Sequence, residues 1–278
     1  MTDIRQSEEY GNYLKTLGWL IERIDETNYF IKKFPLVGSV LKVQRPGKID
    51  FEVINKLSRK YRTFQVIIEP IDEPQAQTVK NAGYKLSKSP YLPSKTLELD
   101  LTKSREEILS QMKKDARLGI KKSGGIDVRE VSTKDLKNFY DNWHASVSFS
   151  RYVPSLNQLL NLSKSFSQNP ALFLTSHNDV GRIIGGAIFT RSSHDIAYYW
   201  QGFTNSEGRS TLSQYSLVWK GILWAKSQNC KVFDFEGIYD SRFPNKSWLG
   251  FTHFKKSFGG NEILYPGAYI KNRLPFNI

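Results

Sequence analysis

Along the first hundred residues, apolar positions fall in short runs. Trp19-Leu20-Ile21-Glu22-Arg23-Ile24 and Tyr29-Phe30-Ile31-Lys32 read as strands parted by the turn residues Asp25 to Asn28. Gly38-Ser39-Val40-Leu41-Lys42-Val43 reads as a third, ended by Arg45-Pro46-Gly47. Asp50 is placed to cap a helix that carries Phe51, Ile54, Leu57 and Tyr61 at helical spacing. Phe64 to Ile68 then forms a buried-type strand, and Gln75 to Asn81 a short helix that Gly83 stops. Strand and helix alternate, which predicts an α/β layer.

Leu97-Glu98-Leu99-Asp100-Leu101 leads into a second half. Thr102 or Ser104 caps a predicted helix over Arg105 to Lys122, whose apolar stripe of Ile108, Met112 and Leu118 is incomplete. Ser123-Gly124-Gly125 ends it, and the pattern recurs. Ile126 to Val131 is a strand, Thr133 opens a helix through Leu136, Phe139, Tyr140 and Trp143, and Leu156 to Ser163 gives another. Strand-like runs follow at Ala171–Thr175, Ile183–Thr190 and Ile196–Gly202. A long helix over about Ser210 to Ser227 precedes the strand Lys231-Val232-Phe233-Asp234-Phe235. Two α/β halves of related order suggest an internal duplication, although no residue-level repeat is visible.

Composition narrows the function. The 278 residues suit one large domain or two ordinary ones, and an aromatic content of 13% argues against disorder. The longest run without Asp, Glu, Lys or Arg is Ser165 to Asn178, too short for a helical span of roughly 20 apolar residues. Met1 to Arg5 has no signal-peptide pattern, so a soluble, cytoplasmic protein is expected. The lone Cys230 excludes an intramolecular disulfide and any multi-cysteine metal site. Residues 1–100 carry 16 basic and 13 acidic side chains, and residues 101–278 carry 24 and 14. That excess in the second part attracts anions such as RNA, phosphorylated substrates or an anionic membrane face, or serves solubility alone. Phosphate-loop, dinucleotide and nucleophile-elbow motifs are absent. His144, His177, His194 and His253 lack ligand spacing and read as structural, and the acidic residues do not cluster; no metal is expected.

The last third is the most informative. Ala197-Tyr198-Tyr199-Trp200-Gln201-Gly202 precedes the helix Leu212 to Lys226. Then come Cys230-Lys231-Val232-Phe233-Asp234-Phe235-Glu236-Gly237-Ile238 and Gly250-Phe251-Thr252-His253-Phe254-Lys255-Lys256-Ser257-Phe258-Gly259-Gly260. This order resembles the FemABX family, aminoacyl-tRNA-dependent transferases that build peptidoglycan peptide bridges. That family ends in a strand Y-D-F-x-G-I followed by G-[LI]-x-x-F-K-x-x-F-G-G. Gln6-Ser7 and Tyr13-Leu14-Lys15-Thr16-Leu17-Gly18-Trp19 echo the family opening, and Arg45-Pro46-Gly47 resembles its R-G-P turn in altered form. The resemblance runs nearly end to end, with its strong motif within residues 197–260.

The resemblance implies an α/β (α+β) fold of two tandem GNAT-like acyltransferase domains. Residues 1–100 would form the first, with the tail 262–278 packing back on it, and residues 101–278 the second, which carries the motif. No heptad run long enough for a coiled-coil arm exists, so the short, armless members are the better match. Ordinary GNAT enzymes hold coenzyme A pyrophosphate on a [QR]-x-x-G-x-[GA] loop. Asn205-Ser206-Glu207-Gly208-Arg209-Ser210-Thr211-Leu212 stands there instead, with the wrong glycine spacing, which disfavours acetyl-CoA. No cofactor is expected beyond aminoacyl-tRNA as co-substrate.

Lys255, with Phe254 beside it, is the catalytic pair that the resemblance implies. A cation placed there would steady the oxyanion formed when an amine attacks the tRNA ester. From spacing alone, Lys255 and Lys256 read as solvated charges after a strand and Phe254 as core. Lys15 and Arg151 match, more loosely, family positions that hold the precursor's phosphates; their plainer readings are an exposed helix lysine and a turn residue before Tyr152. Ser155 stands where the family often has Tyr, a departure that bears on the acceptor. Tyr198 would bond the stem peptide, or be a buried strand tyrosine. Lys103–Lys122, with seven basic and three acidic residues, could meet the tRNA backbone or an anionic membrane, or be an ordinary solvated face. Asp234, Glu236 and Asp240 are candidate bases near the motif.

The expected function is transfer of an amino acid from tRNA to the stem-peptide amine of a peptidoglycan precursor, either UDP-MurNAc-pentapeptide or a lipid-linked form. The site would be cytoplasmic, with peripheral contact at the inner membrane face. The alternatives are a GNAT-like N-acyltransferase using acyl-CoA or another donor, and a non-catalytic module that binds RNA or cell-wall precursor.

Overall fold

The computed structural model describes residues 3–147, 151–192 and 195–273, so His194 lies outside the described residues. The chain forms two compact units, each around its own sheet.

The first unit comprises residues 1–95, 239–245 and 263–278. Ser7 accepts a hydrogen bond from Tyr10 N and so caps α1 (Glu8–Thr16). Asp25 and Glu26 both adopt left-handed φ, 45° and 64°, the geometry of a two-residue hairpin turn. The turn joins β1 (Leu20–Ile24) to β2 (Thr27–Phe34) with Ile24 opposite Thr27. β3 (Gly38–Gln44) continues the antiparallel meander. Asp50 then caps α2 (Phe51–Lys60), which crosses over to a parallel partner, β4 (Thr63–Glu69). α3 (Glu73–Asn81), capped by Asp72, and the short β5 (Lys85–Leu86) follow. The tail strand Tyr269–Asn272, β13 in chain order, pairs with β4 and β5 to complete the order β1-β2-β3-β4-β13-β5. Tyr29, Ile31, Leu41, Val43, Val66 and Ile68 face the apolar stripe of α2 (Ile54, Leu57) and α3 (Ala76, Val79). Burial of that face is the main force holding the unit together.

The second unit comprises residues 96–238 and 246–262. Its strands are β6 (Lys95–Asp100), β7 (Asp127–Glu130), β8 (Leu172–His177), β9 (Ile183–Arg191), β10 (Ile196–Thr204), β11 (Val232–Gly237) and β12 (Asn261–Leu264). They take the order β12-β6-β11-β10-β9-β8-β7. β10 and β11 are parallel and are joined through α8 (Ser206–Ser210) and α9 (Ser213–Ser227); α9 is the longest helix among the described residues. On one sheet face, Phe189, Tyr199, Phe233 and Phe235 pack against Leu217, Val218 and Ile222 of α9. On the other, Phe139 and Trp143 of α6 (Leu136–Ser146) meet Phe173 and Phe203.

Two helices differ from the sequence expectation. The single helix expected over Arg105 to Lys122 is α4 (Arg105–Gln111) and α5 (Lys114–Lys122), because Met112 and Lys113 are extended (ψ 148° and 160°). The break lets Met112 bury its side chain and Lys113 N bond to Ser257 O at 2.8 Å. The basic side chains Lys113, Lys114, Arg117, Lys121 and Lys122 are exposed. The long helix begins at Ser213 rather than Ser210, since Leu212 is left-handed at φ 59°.

Candidate active site

The second unit's sheet is irregular at one level. The parallel ladder of β10 and β11 ends at Tyr198 opposite Asp234, although both strands run on. Beyond that pair, β10 bulges between Tyr199 and Gln201 against β9, and β11 shifts register against β6 between Asp234 and Gly237. Glu236 sits within that shift at φ 59°. A bulge bends its strand and strengthens local twist, so the two strands part here.

Lys255 of α10 (Leu249–Ser257) occupies this place. Its Nζ donates to Gly237 O at 2.7 Å and lies 5.7 Å from the Tyr199 ring and 5.1 Å from the Phe251 ring. Phe251 is one helical turn before Lys255 and therefore stands on the same face. Burial pushes the Lys255 ammonium down to about 8, opposed by the charges of Glu236 and Asp234. The alternative reading of Lys255 as a solvated charge after a strand is therefore incorrect: it is a partly buried helix residue. Tyr199 Oη accepts from Gln214 Nε2 at 2.6 Å, and burial pushes the phenol up to about 12. Gln214 Oε1 is buried with no hydrogen-bond partner. A β-carbon at Gly202 would lie 2.5 Å from Tyr199 Oη, so the glycine of the Y-x-W-x-G strand makes room for that hydroxyl.

The other expected site residues separate. Phe254 packs against Tyr215 (ring centroids 4.9 Å) and Phe258 (5.3 Å), a core contact that sets the angle of α10. Tyr198 is 1% exposed and, by strand alternation, belongs to the sheet face opposite Tyr199. Lys15 is exposed on the last turn of α1 in the first unit and donates to Asn12 Oδ1 at 3.1 Å. Arg151 is exposed ahead of α7 (Leu156–Ser165) in the second. Ser155 caps α7 in a capping box with Gln158, which gives that family departure a structural purpose. Among the candidate bases, Asp234 is buried and accepts from Thr96 Oγ1 and from Glu236 N (2.6 Å). Asp240 is tied to Arg242 and Ser94 in the first unit.

Tyr199, Phe251 and Gln214 were not singled out from the sequence. The available signal was the period of the strand: in Tyr198-Tyr199, one ring must face α9. A second constellation lies on the first sheet's face away from α2 and α3. There Lys42 Nζ is 5.1 Å from the Trp19 ring and 4.7 Å from the Tyr91 ring, and Lys32 Nζ is 5.7 Å from Trp19. Burial lowers the Lys42 pKa, with Glu69 opposing. No group of three His, Cys, Asp or Glu side chains converges among the described residues. At the segment where coenzyme A loops stand in ordinary GNAT enzymes, Gly208 N is bonded to Asn205 Oδ1 at 2.8 Å, and a β-carbon at Gly208 would meet Ile184 O at 2.2 Å.

Two sheets of this topology in tandem define a tandem GNAT-like α/β fold. The chain matches the crystal structure of FemX with a TM-score of 0.84 at 14% identity, covering 98% of this chain and 92% of that one. It also resembles the C-terminal domain of a putative lysylphosphatidylglycerol synthetase from Agrobacterium fabrum (TM-score 0.66, 12% identity, 97% and 89% covered). A tandem GNAT protein from the clavulanic acid biosynthesis pathway matches at 0.52, with 10% identity and 88% and 82% covered. At these identities the likeness is one of fold, and it is the fold that the FemABX resemblance implied. No family model and no curated protein matches the chain.

Proposed function

We propose that the protein is an acyltransferase of FemABX type, which moves an aminoacyl group from the ester of a charged tRNA to the stem-peptide amine of a peptidoglycan precursor. The observation that carries this reading is Lys255, a cation held between parted strands and two aromatic rings. In the reaction, the acceptor nitrogen attacks the ester carbonyl and a C–N bond forms. The C–O bond to the tRNA ribose breaks, and the proton lost by the amine ends on the ribose oxygen. The tetrahedral intermediate carries an oxyanion, and a preorganised ammonium in a low-dielectric site stabilises it as it develops. With a pKa of about 8, Lys255 is mostly cationic at neutral pH yet poorly solvated, so its field acts on the reacting atoms rather than on water. The ester is already activated, so no acylated side chain is required.

The net excess of basic residues over 101–278 supports an anionic donor. The test is transfer of radiolabel from a pool of aminoacyl-tRNAs to UDP-MurNAc-pentapeptide, to its lipid-linked form or to phosphatidylglycerol. The last acceptor is included because a structural neighbour is named for lysylphosphatidylglycerol. Label on a peptide acceptor with wild type, absent with Lys255→Met, supports the proposal. Label on phosphatidylglycerol alone moves the acceptor to lipid, and transfer from acyl-CoA but not from tRNA replaces the donor.

A further inference from the structure

The hairpin between β2 and β3 ends in Phe34-Pro35-Leu36-Val37. Leu36 is fully exposed, at 105% of its reference area, with Val37 at 57% and Phe34 at 44%. Leu36 adopts φ 64°, where Gly or Asn would serve the backbone better, so the turn itself does not call for leucine. Such a cluster at a loop tip needs a partner.

The surroundings supply an excess of positive charge. Ser39 N bonds to Arg62 O at 3.2 Å, which sets Arg62 beside the hairpin, and the basic last turn of α2 (Arg59, Lys60) ends there. Lys33 extends over the Tyr61 ring at 5.5 Å. Arg273 N bonds to Phe64 O at 2.8 Å, on the strand whose Phe64 ring lies 5.9 Å from Phe34. Segments 29–41 and 53–68 contain Lys32, Lys33, Lys56, Arg59, Lys60 and Arg62 and no Asp or Glu. Lys60 is engaged by Glu22 at 2.6 Å, which leaves Lys33, Arg59 and Arg62 to set the local field.

We propose that this hairpin tip docks the protein on an anionic bilayer, with Phe34, Leu36 and Val37 entering the interface and Lys33, Arg59 and Arg62 meeting the lipid phosphates. A bilayer surface presents those two chemistries as adjacent layers, apolar below and anionic above. A nucleic-acid backbone would use the cations but not three exposed apolar side chains. An apolar protein groove would take the tip but leaves the neighbouring excess of cations unexplained. The inference does not depend on the acyl-transfer reading, since it concerns a different surface and a different ligand.

The test is flotation of the full chain with phosphatidylcholine vesicles, with and without phosphatidylglycerol. Wild type should float with phosphatidylglycerol, less so at high salt. The double variant Leu36→Asp, Val37→Asp should lose at least about tenfold in partition coefficient, with its melting temperature little changed because both side chains are exposed and the Phe34–Phe64 contact is kept. In a second measurement, Leu36→Cys is labelled with an environment-sensitive dye, Cys230 being buried. The dye emission should shift to the blue on adding anionic vesicles. Failure of wild type to float, undiminished flotation of the double variant, or an unshifted dye would each overturn the proposal. So would a tip-dependent dimer in gel filtration without vesicle binding.

Discussion

Replacing Lys255 by Met separates a functional cation from a structural one, because the two roles move rate and stability in different directions. Losing a preorganised oxyanion-stabilising donor typically lowers the chemical step by about 10²–10³-fold. The stability effect has the opposite sign from the usual core mutation. The folded pKa of Lys255 is about 8 against an ordinary 10.5, which corresponds to ~3 kcal/mol by which the fold disfavours the charged form. Between those pH values the unfolded chain binds a proton that the folded chain does not, so stability rises as pH increases from about 8 towards 10.5 and is lowest, for this group, below 8. Methionine removes that penalty at pH 7 but leaves Gly237 O without its donor, a loss of about 1 kcal/mol. The net is a gain of ~2 kcal/mol, or a rise in Tm of roughly 4–8 °C, in the transition of the second unit. Single-turnover transfer, calorimetry and a pH series from 6 to 10 make the assay. The wild-type chemical step should fall as pH rises through about 8, and Lys255→Arg, which keeps its charge, should lose that descending limb. Two results would refute the reasoning: a Lys255→Met protein that transfers normally, or a wild-type rate that rises through pH 8 with Lys255→Arg inactive. The latter would make the neutral amine a base.

Three further outcomes follow from the packing. Gly202→Ala puts a β-carbon 2.5 Å from Tyr199 Oη and 2.9 Å from Gln214 Nε2; it should displace Tyr199 and lower transfer at least tenfold with the fold intact by circular dichroism. Gly221→Ala sets a β-carbon 2.3 Å from the Phe189 ring, which itself stacks on Tyr199 at 5.5 Å, and should lower stability by about 1–3 kcal/mol in urea titration. Asp3 joins Arg45 at 2.8 Å and Arg5 at 3.3 Å; burial raises its pKa, but the two guanidinium groups outweigh that and hold it below the ordinary carboxylate value. Its contribution is therefore present above the unfolded pKa and lost as pH falls through the folded one. Asp3→Asn should destabilise the first unit by about 3–5 kcal/mol at pH 7 and flatten the acid limb of its stability curve.

Much of the fold is legible in the sequence because each element announces itself locally. Asp50 and Asp72 are capping residues followed by apolar positions at helical spacing; the run around Leu41 alternates as a half-buried strand, and those around Ile31 and Ile67 are continuous apolar runs of buried strands. The break between α4 and α5 was hidden, since Met112 and Lys113 are good helix formers and the extended conformation is fixed by a bond to Ser257, far along the chain. The candidate site was legible at Lys255 through the F-K motif, and hidden at its walls. Choosing between Tyr198 and Tyr199 requires knowing which sheet face α9 covers, which no local pattern states. Phe254 and Phe251 are equally aromatic, and only the rotation of α10 decides that one joins Tyr215 in the core while the other lines Lys255.

The three motif pieces act as one device. A regular parallel pair would continue the ladder past Tyr198 and Asp234 and leave no room for a lysine between the strands. β10 departs by its bulge after Tyr199, and β11 by the left-handed Glu236, whose N–H is turned onto Asp234 Oδ1 at 2.6 Å rather than into a ladder. That turn presents the next carbonyl, Gly237 O, as an acceptor, and Lys255 takes it. Asp234 therefore holds the β11 distortion that creates the acceptor. Thr96 Oγ1, which bonds both Asp234 Oδ1 and Glu236 O, anchors the same distortion from β6. The D-F-x-G segment and the F-K pair thus depend on each other through a backbone carbonyl. A buried ammonium without that acceptor would lose its proton or leave the site, and the parted strands without the ammonium would hold an unsatisfied carbonyl.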